Sequence, residues 1–121
     1  MNPSRLLAVL ALSTALAAPV AAQSPPILEL DDVAPGQKAV VRTVFEGDRI
    51  ESFDAEIIGI FHGGRVDGDI IVARATSERV VHSGIAQGMS GSPVYVDGKL
   101  VGALSGAWAF TRDPLFVVTP I

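Results

Sequence analysis

Residues 84–108 read GIAQGMSGSPVYVDGKLVGALSGAW, and this stretch carries the strongest structural signal in the sequence. Asp97 and Gly98 separate two short apolar runs, and Asp-Gly is a preferred pair for the two-residue turns of β-hairpins. Pro93 begins the first run, a position at which its missing N–H does little harm to a strand. The stretch therefore predicts a β-hairpin that directly follows a turn rich in glycine and serine.

Similar β-type runs precede this hairpin. The segment KAVVRTVF (38–45) is rich in β-branched residues, and a turn is predicted at residues 46–48. RIESFDAEIIGIF (49–61) follows with a two-residue alternation of apolar and polar side chains. The predicted inner face of this strand consists of Phe53, Ala55, Ile57, Gly59 and Phe61.

The rest of the chain also consists of short predicted strands and loops. A loop rich in glycine and aspartate is predicted at 62–69, and further strands are predicted at 70–75, 78–82 and 115–121. No amphipathic helix is predicted after residue 22. Short strands separated by turn signals every 8 to 12 residues or so are typical of a small sandwich or barrel, so we expect an all-β fold.

Residues 1–22 have the composition of a signal peptide. Arg5 precedes a largely apolar run that ends at Ala18, and small residues close the segment at positions 20–22. The run is shorter than the roughly 20 residues of a membrane span, and Pro19 interrupts its end. We therefore expect export to the periplasm or the medium of a bacterium, and no stable membrane span after cleavage.

The remaining chain divides into two parts. Residues 23–37 contain three prolines and are predicted to form an extended lead-in, and residues 38–121 form the predicted folded domain. The chain ends on an apolar strand at Ile121 without a polar tail, which suggests that the sequence is a fragment of a longer one.

Composition excludes several classes of function. The 121 residues carry a net charge of −4, with no basic stripe, which argues against a nucleic-acid partner. The sequence has no cysteine, so cysteine nucleophiles, zinc–cysteine sites and iron–sulfur clusters are excluded. We expect no cofactor, and the oligomeric state cannot be inferred from these features.

Ser90 is the candidate nucleophile. Gly88 and Gly91 can adopt backbone angles closed to other residues, so the chain can bend sharply around Ser90 and expose its hydroxyl. The backbone N–H groups of Gly88 and Ser90 could then form an oxyanion hole for acyl transfer. Ser92 is expected to have a structural role within the turn. The alternative interpretation is an ordinary Gly-Ser turn before a hairpin.

The string GMSGSP (88–93) resembles the hallmark motif of the SpoIVB peptidase family. The longer stretch GIAQGMSGSPVYVDGKLVGA also resembles the segment before this motif and the hairpin after it in that family. The segments IESFDAEIIGI and FTRDPLFVVTPI are also similar to it. The resemblance implies a chymotrypsin-like β-barrel, incomplete in this chain, and an exported serine endopeptidase with Ser90 as nucleophile. Its partner would be a peptide or protein substrate.

The resemblance does not supply a complete catalytic triad. A serine nucleophile needs a base, normally histidine. His62, beside the Gly63-Gly64 loop, and His82, at the end of a predicted strand, are both weak candidates. The family's Gly-His segment has no counterpart here, and the position of its acidic residue corresponds to Thr76. The chain therefore provides the predicted nucleophile and oxyanion donors without an evident base.

Two further groups of residues have alternative interpretations. Asp67 and Asp69 could suggest calcium, but two carboxylates without a full ligand loop are usually a solvated turn, so no metal site is predicted. Trp108 and Phe110 either wall a substrate groove or pack in the core.

Two functions remain open after these observations. The first is a serine peptidase that is weak or inactive as this short chain. The alternative is a non-catalytic exported β-domain that binds a peptide or partner protein at the edge of its sheet.

Overall fold

A computed structural model describes residues 24–65, 68–108 and 112–121. The proposed signal peptide lies outside the described residues. The described residues form six strands, one α-helix and two 3-10 helices. In chain order they are a 3-10 helix at Leu30–Asp32, β1 (Lys38–Val44), β2 (Ile50–Arg65), β3 (Gly68–Ala75), α1 (Glu78–Ser83), a 3-10 helix at Gln87–Met89, β4 (Pro93–Val96), β5 (Lys99–Ala107) and β6 (Leu115–Pro120).

The six strands form a closed barrel in the order β1-β2-β3-β6-β5-β4, and every neighbouring pair is antiparallel. The all-β fold class and the barrel are confirmed. The sequence predicts an incomplete barrel, whereas pairing of β1 with β4, at Val40–Tyr95 and Val41–Val94, closes it. Closure matters because an open sheet would leave the backbone groups of two edge strands unpaired.

The predicted hairpin around Asp97 and Gly98 forms, and its second strand runs to Ala107, beyond the predicted end at Leu104. Asp97 and Gly98 have φ angles of 49° and 74°, and positive φ at both central residues is the signature of a type I′ turn. Leu100, just after the turn, also binds the lead-in, because its N–H donates to the carbonyl of Pro26 at 2.8 Å and its carbonyl accepts from Leu28 at 2.9 Å. The lead-in is therefore fixed along β5.

The core fills the barrel with the alternate side chains of the strands. β1 shows this most clearly, because its residues alternate between exposed and buried along the whole strand. Phe116 is fully buried and packs edge-to-face against Phe53, with ring centroids 5.9 Å apart. The other large, fully buried side chains are Ile57, Ile71, Leu104, Val41, Val80, Val94, Val101 and Val118.

The second half of β2 differs from the sequence prediction. β2 runs on to Arg65 instead of ending in a loop at residue 62. The pairing with β3 shifts register between Ile57 and Gly59, and a one-residue shift moves the following side chains to the opposite face. Ile60 consequently packs against the core, and Phe61 is 60% exposed. The expectation that Phe61 shares the inner face is therefore wrong.

Helix α1 covers residues 78–83, although the sequence predicts a strand at 78–82. Val80 is fully buried, and its N–H and that of Val81 both turn back to the carbonyl of Ser77. Arg79 also docks the helix, because its guanidinium lies 4.0 Å from the centre of the Phe45 ring. These contacts with the barrel outweigh the strand preference of the paired valines.

Candidate active site

Ser90 lies in the turn between the 3-10 helix Gln87–Met89 and β4, and it is exposed. Met89 on one side is buried, with 3% of its surface exposed, and Gly91 on the other side has a φ of 87°, which glycine adopts without steric cost. The Gly91 N–H donates to the carbonyl of Leu104 at 2.7 Å. The turn is therefore anchored to the barrel on both sides of Ser90.

The predicted oxyanion donors are the amides of Gly88 and Ser90. Within the described residues, neither amide pairs with a strand; the N–H of Met89 between them donates to the carbonyl of Ala86 at 3.0 Å. Each N–H of a 3-10 helix is directed toward the carbonyl three residues earlier, which for Ser90 is that of Gln87. The helix must therefore open at its last residue before the Ser90 amide can face a substrate.

Ser92 is placed quite differently from Ser90. It is 9% exposed, and its hydroxyl donates to the hydroxyl of Thr43 at 2.8 Å; Thr43 is itself 4% exposed. The predicted structural role of Ser92 is confirmed, because this bond ties the turn to β1 inside the barrel. Local sequence carries no signal for Thr43 as its partner, since the two residues meet only when β1 pairs with β4.

Removing one hydroxyl of this pair is expected to destabilise the domain. Ser92→Ala or Thr43→Val should each lower the free energy of unfolding by about 1–3 kcal/mol, because the remaining hydroxyl is buried and unpaired. The double variant should be no less stable than the poorer single variant. Urea unfolding of all four proteins measures these values, and strictly additive losses would contradict the pairing.

Two cavities meet at Ser90. The first, which we term the β5 cavity, has a volume of about 410 Å³ and is lined by Ile85, Ala86, Ser90 and residues 104–108. The second, the Arg42 cavity, measures about 400 Å³ and is lined by residues 42–44, Ile50, Gly88, residues 90–93 and Tyr95. Ser90 is the residue that the two linings share. A hydroxyl between two cavities of this size can be approached by a chain that occupies both.

Trp108 is 47% exposed and lines the β5 cavity, so it walls the groove rather than packing in the core. Phe110 lies outside the described residues. The last residues of β5, 104–107, line the same cavity. Pairing with β4 ends at Pro93–Ala103, so residues 105–107 have no described strand beside them on that side.

His62 forms no hydrogen bond with Ser90 within the described residues. It lies on β2, eleven residues beyond Glu51, which pairs with Thr43. The assignment of His62 as the base therefore stays a prediction.

His62 has a different set of contacts. Its Nδ1 lies 3.0 Å from Oδ2 of Asp69, and the Gly63 N–H donates to Oδ1 of the same carboxylate at 3.0 Å. The hydrogen bond with His62, and then that from Gly63, lower the pKa of Asp69 below its usual value. The Asp69 carboxylate on β3 therefore binds two residues of β2, His62 and Gly63. Asp67 lies outside the described residues.

His82 is exposed on α1, eight residues before Ser90. Within the described residues, no hydrogen bond joins His82 to Ser90, and Ser90 forms no hydrogen bond with any other side chain.

The described residues contain no group of three His, Cys, Asp or Glu side chains placed to bind a metal ion. No described helix has the length and apolar character needed to cross a membrane.

Comparison with known proteins agrees with this geometry. The chain matches the family SpoIVB peptidase S55 over residues 10–115. Its fold is similar to that of the Rv3671c protease in an inactive form, with a TM-score of 0.59, 20% identity and coverage of 84% of this chain and 52% of that one. A serine-to-alanine mutant of Rv3671c from M. tuberculosis H37Rv, also in an inactive form, gives a TM-score of 0.59, 20% identity and coverage of 84% and 50%.

The chain spans about half the length of these two structures, and no curated protein matches it. The structural likeness confirms the chymotrypsin-like barrel. The family match covers most of the sequence and includes the turn around Ser90, so the resemblance drawn from GMSGSP is confirmed. The chain belongs to the SpoIVB peptidase S55 family and folds into a peptidase-like domain.

Proposed function

We propose that this chain carries the nucleophile of an exported serine endopeptidase. The observation that carries the proposal is the placement of Ser90, an exposed hydroxyl on an anchored glycine turn at the junction of two cavities. Ser92, two residues later, is buried and bonded, so the same turn offers one accessible serine. The export part of the proposal rests on the composition of residues 1–22.

The reaction would proceed through an acyl-enzyme. The Ser90 oxygen attacks the carbonyl carbon of the scissile peptide bond, its proton passes to a base, and the carbonyl oxygen becomes an oxyanion. Collapse of this intermediate breaks the C–N bond, and the base returns the proton to the leaving amine. Water then hydrolyses the Ser90 ester and releases the acid product.

The amides of Gly88 and Ser90 are the proposed oxyanion donors. Removing one donor of this kind typically lowers the rate about 100- to 1000-fold, so their orientation matters as much as the hydroxyl itself. The Ser90 amide follows a 3-10 helix and is directed toward the carbonyl of Gln87. We assign its reorientation toward the oxyanion to substrate binding, because catalytic hydrogen bonds often tighten only in the substrate complex.

The base is the part of the machinery that the described residues do not place beside Ser90. Neither His62 nor His82 forms a hydrogen bond with Ser90 within the described residues. We therefore assign the base to a segment other than the described residues. As this chain, the protein should react slowly at Ser90, and an external base should accelerate that reaction.

A fluorophosphonate probe with added imidazole tests the proposal. The probe should form an adduct on Ser90, located by peptide mapping and mass spectrometry, and the rate should rise with imidazole concentration because imidazole replaces the base. Heat-denatured protein is the control, since its hydroxyls are not held in place. An adduct on another residue, or equal labelling of native and denatured chains, would show that Ser90 is not an activated nucleophile.

The second candidate function is a non-catalytic domain that binds a peptide. It is favoured by one observation, the lack of a hydrogen-bonded base at Ser90 within the described residues. The edge of β5 at residues 105–107 and the adjoining cavity could still hold an extended chain. Peptide binding without any labelling of Ser90 would favour this function over the first.

A further inference from the structure

Among the described residues that line the Arg42 cavity, Arg42 has the one charged side chain. It lies on β1 with its side chain exposed, and it forms no ion pair or hydrogen bond with a described residue. Two surface arginines are paired, Arg74 with Asp113 at 3.0 Å and Arg79 with Glu51 at 3.2 Å, whereas Arg49 and Arg112, like Arg42, form no ion pair with a described residue. Arg42 differs from Arg49 and Arg112 in lining a cavity with Ser90, where no described residue uses its donors.

The residues around Arg42 provide no carboxylate that binds its guanidinium within the described chain. Ser52 lies opposite on β2, and the register of β1 with β4 places Pro93 on the other side. Asp54, opposite Val40, is the nearest carboxylate on the same face of β2, and it makes no ion pair with Arg42. The remaining lining is neutral, so an acidic group in this cavity would meet one unpaired guanidinium.

The length of chain between Ser90 and Pro93, the residue beside Arg42, suits a peptide substrate. Pro93, beside Arg42, follows Ser90 by three residues, which is at most about 10 Å of chain. An extended peptide advances at about the same rate per residue. A substrate with its scissile bond at Ser90 thus presents a side chain to Arg42 within about three residues of that bond.

We propose that Arg42 is a specificity-determining residue that selects an acidic side chain of a peptide. This inference rests on the proposed function for the location of the scissile bond. The peptide crosses Ser90 with an apolar side chain in the β5 cavity, lined by Ile85, Leu104 and Trp108, and an aspartate or glutamate in the Arg42 cavity. The guanidinium fork then donates two parallel N–H bonds to the carboxylate.

Charge exchange between protein and peptide tests this role. The probes are fluorescein-labelled hexapeptides that contain one apolar residue. In each peptide, one of the other positions carries Asp, Asn or Lys, and this position is varied from peptide to peptide. Binding is measured by fluorescence anisotropy with the Ser90→Ala chain, so no peptide is cleaved. At one position, Asp should bind about two- to fivefold more tightly than Asn, the size of an exposed ion pair, and 0.5 M salt should reduce this difference.

Arg42→Glu should reverse the preference at that position from Asp to Lys, which a merely structural role of Arg42 would not do. Lys99→Glu is the matched control, because it changes the net charge equally at an exposed position by the hairpin turn that does not line the cavity, and it should leave the preference unchanged. Absence of peptide binding, or an Asp preference that survives Arg42→Glu, overturns the proposal. Labelling of Ser90 is scored separately, so a failed peptidase and a failed Arg42 assignment give different results.

Discussion

Replacing Ser90 with alanine is expected to abolish fluorophosphonate labelling, with or without imidazole, and all peptide hydrolysis. The adduct forms on the hydroxyl oxygen, and the substitution removes that atom. In serine peptidases with a complete triad, loss of the nucleophile lowers kcat by about 10⁶-fold. Because Ser90 is exposed and no described side chain binds it, the free energy of unfolding should change by less than about 0.5 kcal/mol.

Ser92→Ala is the matched variant for this experiment. It removes a hydroxyl two residues away that is buried against Thr43, so it should lower stability while the folded fraction still reacts at Ser90. Labelling is measured by gel fluorescence and stability by urea unfolding. If Ser92→Ala lost labelling while Ser90→Ala kept it, the two serines would have to exchange roles.

The features that the sequence predicted correctly are those with a local cause. The Asp97-Gly98 turn depends on two residues that tolerate positive φ, and it forms as expected. The alternation of β1 marks the buried face without reference to any other strand. The glycines around Ser90 likewise permit a sharp turn that exposes the serine.

The errors have tertiary causes. The register shift after Ile57 follows from the pairing of β2 with β3, and nothing in residues 49–61 announces it. The helix at residues 78–83 exists because Val80 is buried against the barrel and Arg79 binds Glu51 and Phe45. Both sets of contacts join segments more than ten residues apart, so a reading of local propensity misses them.

The candidate site also combines features that local sequence predicts with features that depend on strand pairing. The candidate nucleophile is predicted from its turn, whereas the Arg42 cavity forms only when β1 closes onto β4. The distance between His62 and Ser90 is also a property of the barrel. His62 lies on β2, whereas Ser90 lies in the turn before β4, so only the closed barrel fixes where one lies relative to the other.

Gly102→Ala is expected to be the most destabilising single substitution considered for this domain. Gly102 is buried on β5, opposite Pro120 on β6. An added Cβ would overlap the carbonyl oxygen of Thr119, and it would lie 2.9 Å from the Thr119 carbonyl carbon and 3.0 Å from Cγ1 of Val118. Backbone atoms in a closed barrel cannot rotate away as a flexible side chain does, so β5 and β6 would have to separate.

This separation should lower the free energy of unfolding by about 3 kcal/mol or more, the upper end of the usual cost of overpacking. For a domain of this size, the corresponding fall in Tm is roughly 12–24 °C, which differential scanning calorimetry measures. Gly106→Ala is the control on the same strand, because an added Cβ there meets no atom within 4 Å. Equal losses for the two variants would mean that glycine is needed for strand conformation in general, and a Gly102→Ala protein as stable as the wild type would mean that β6 does not approach β5 this closely.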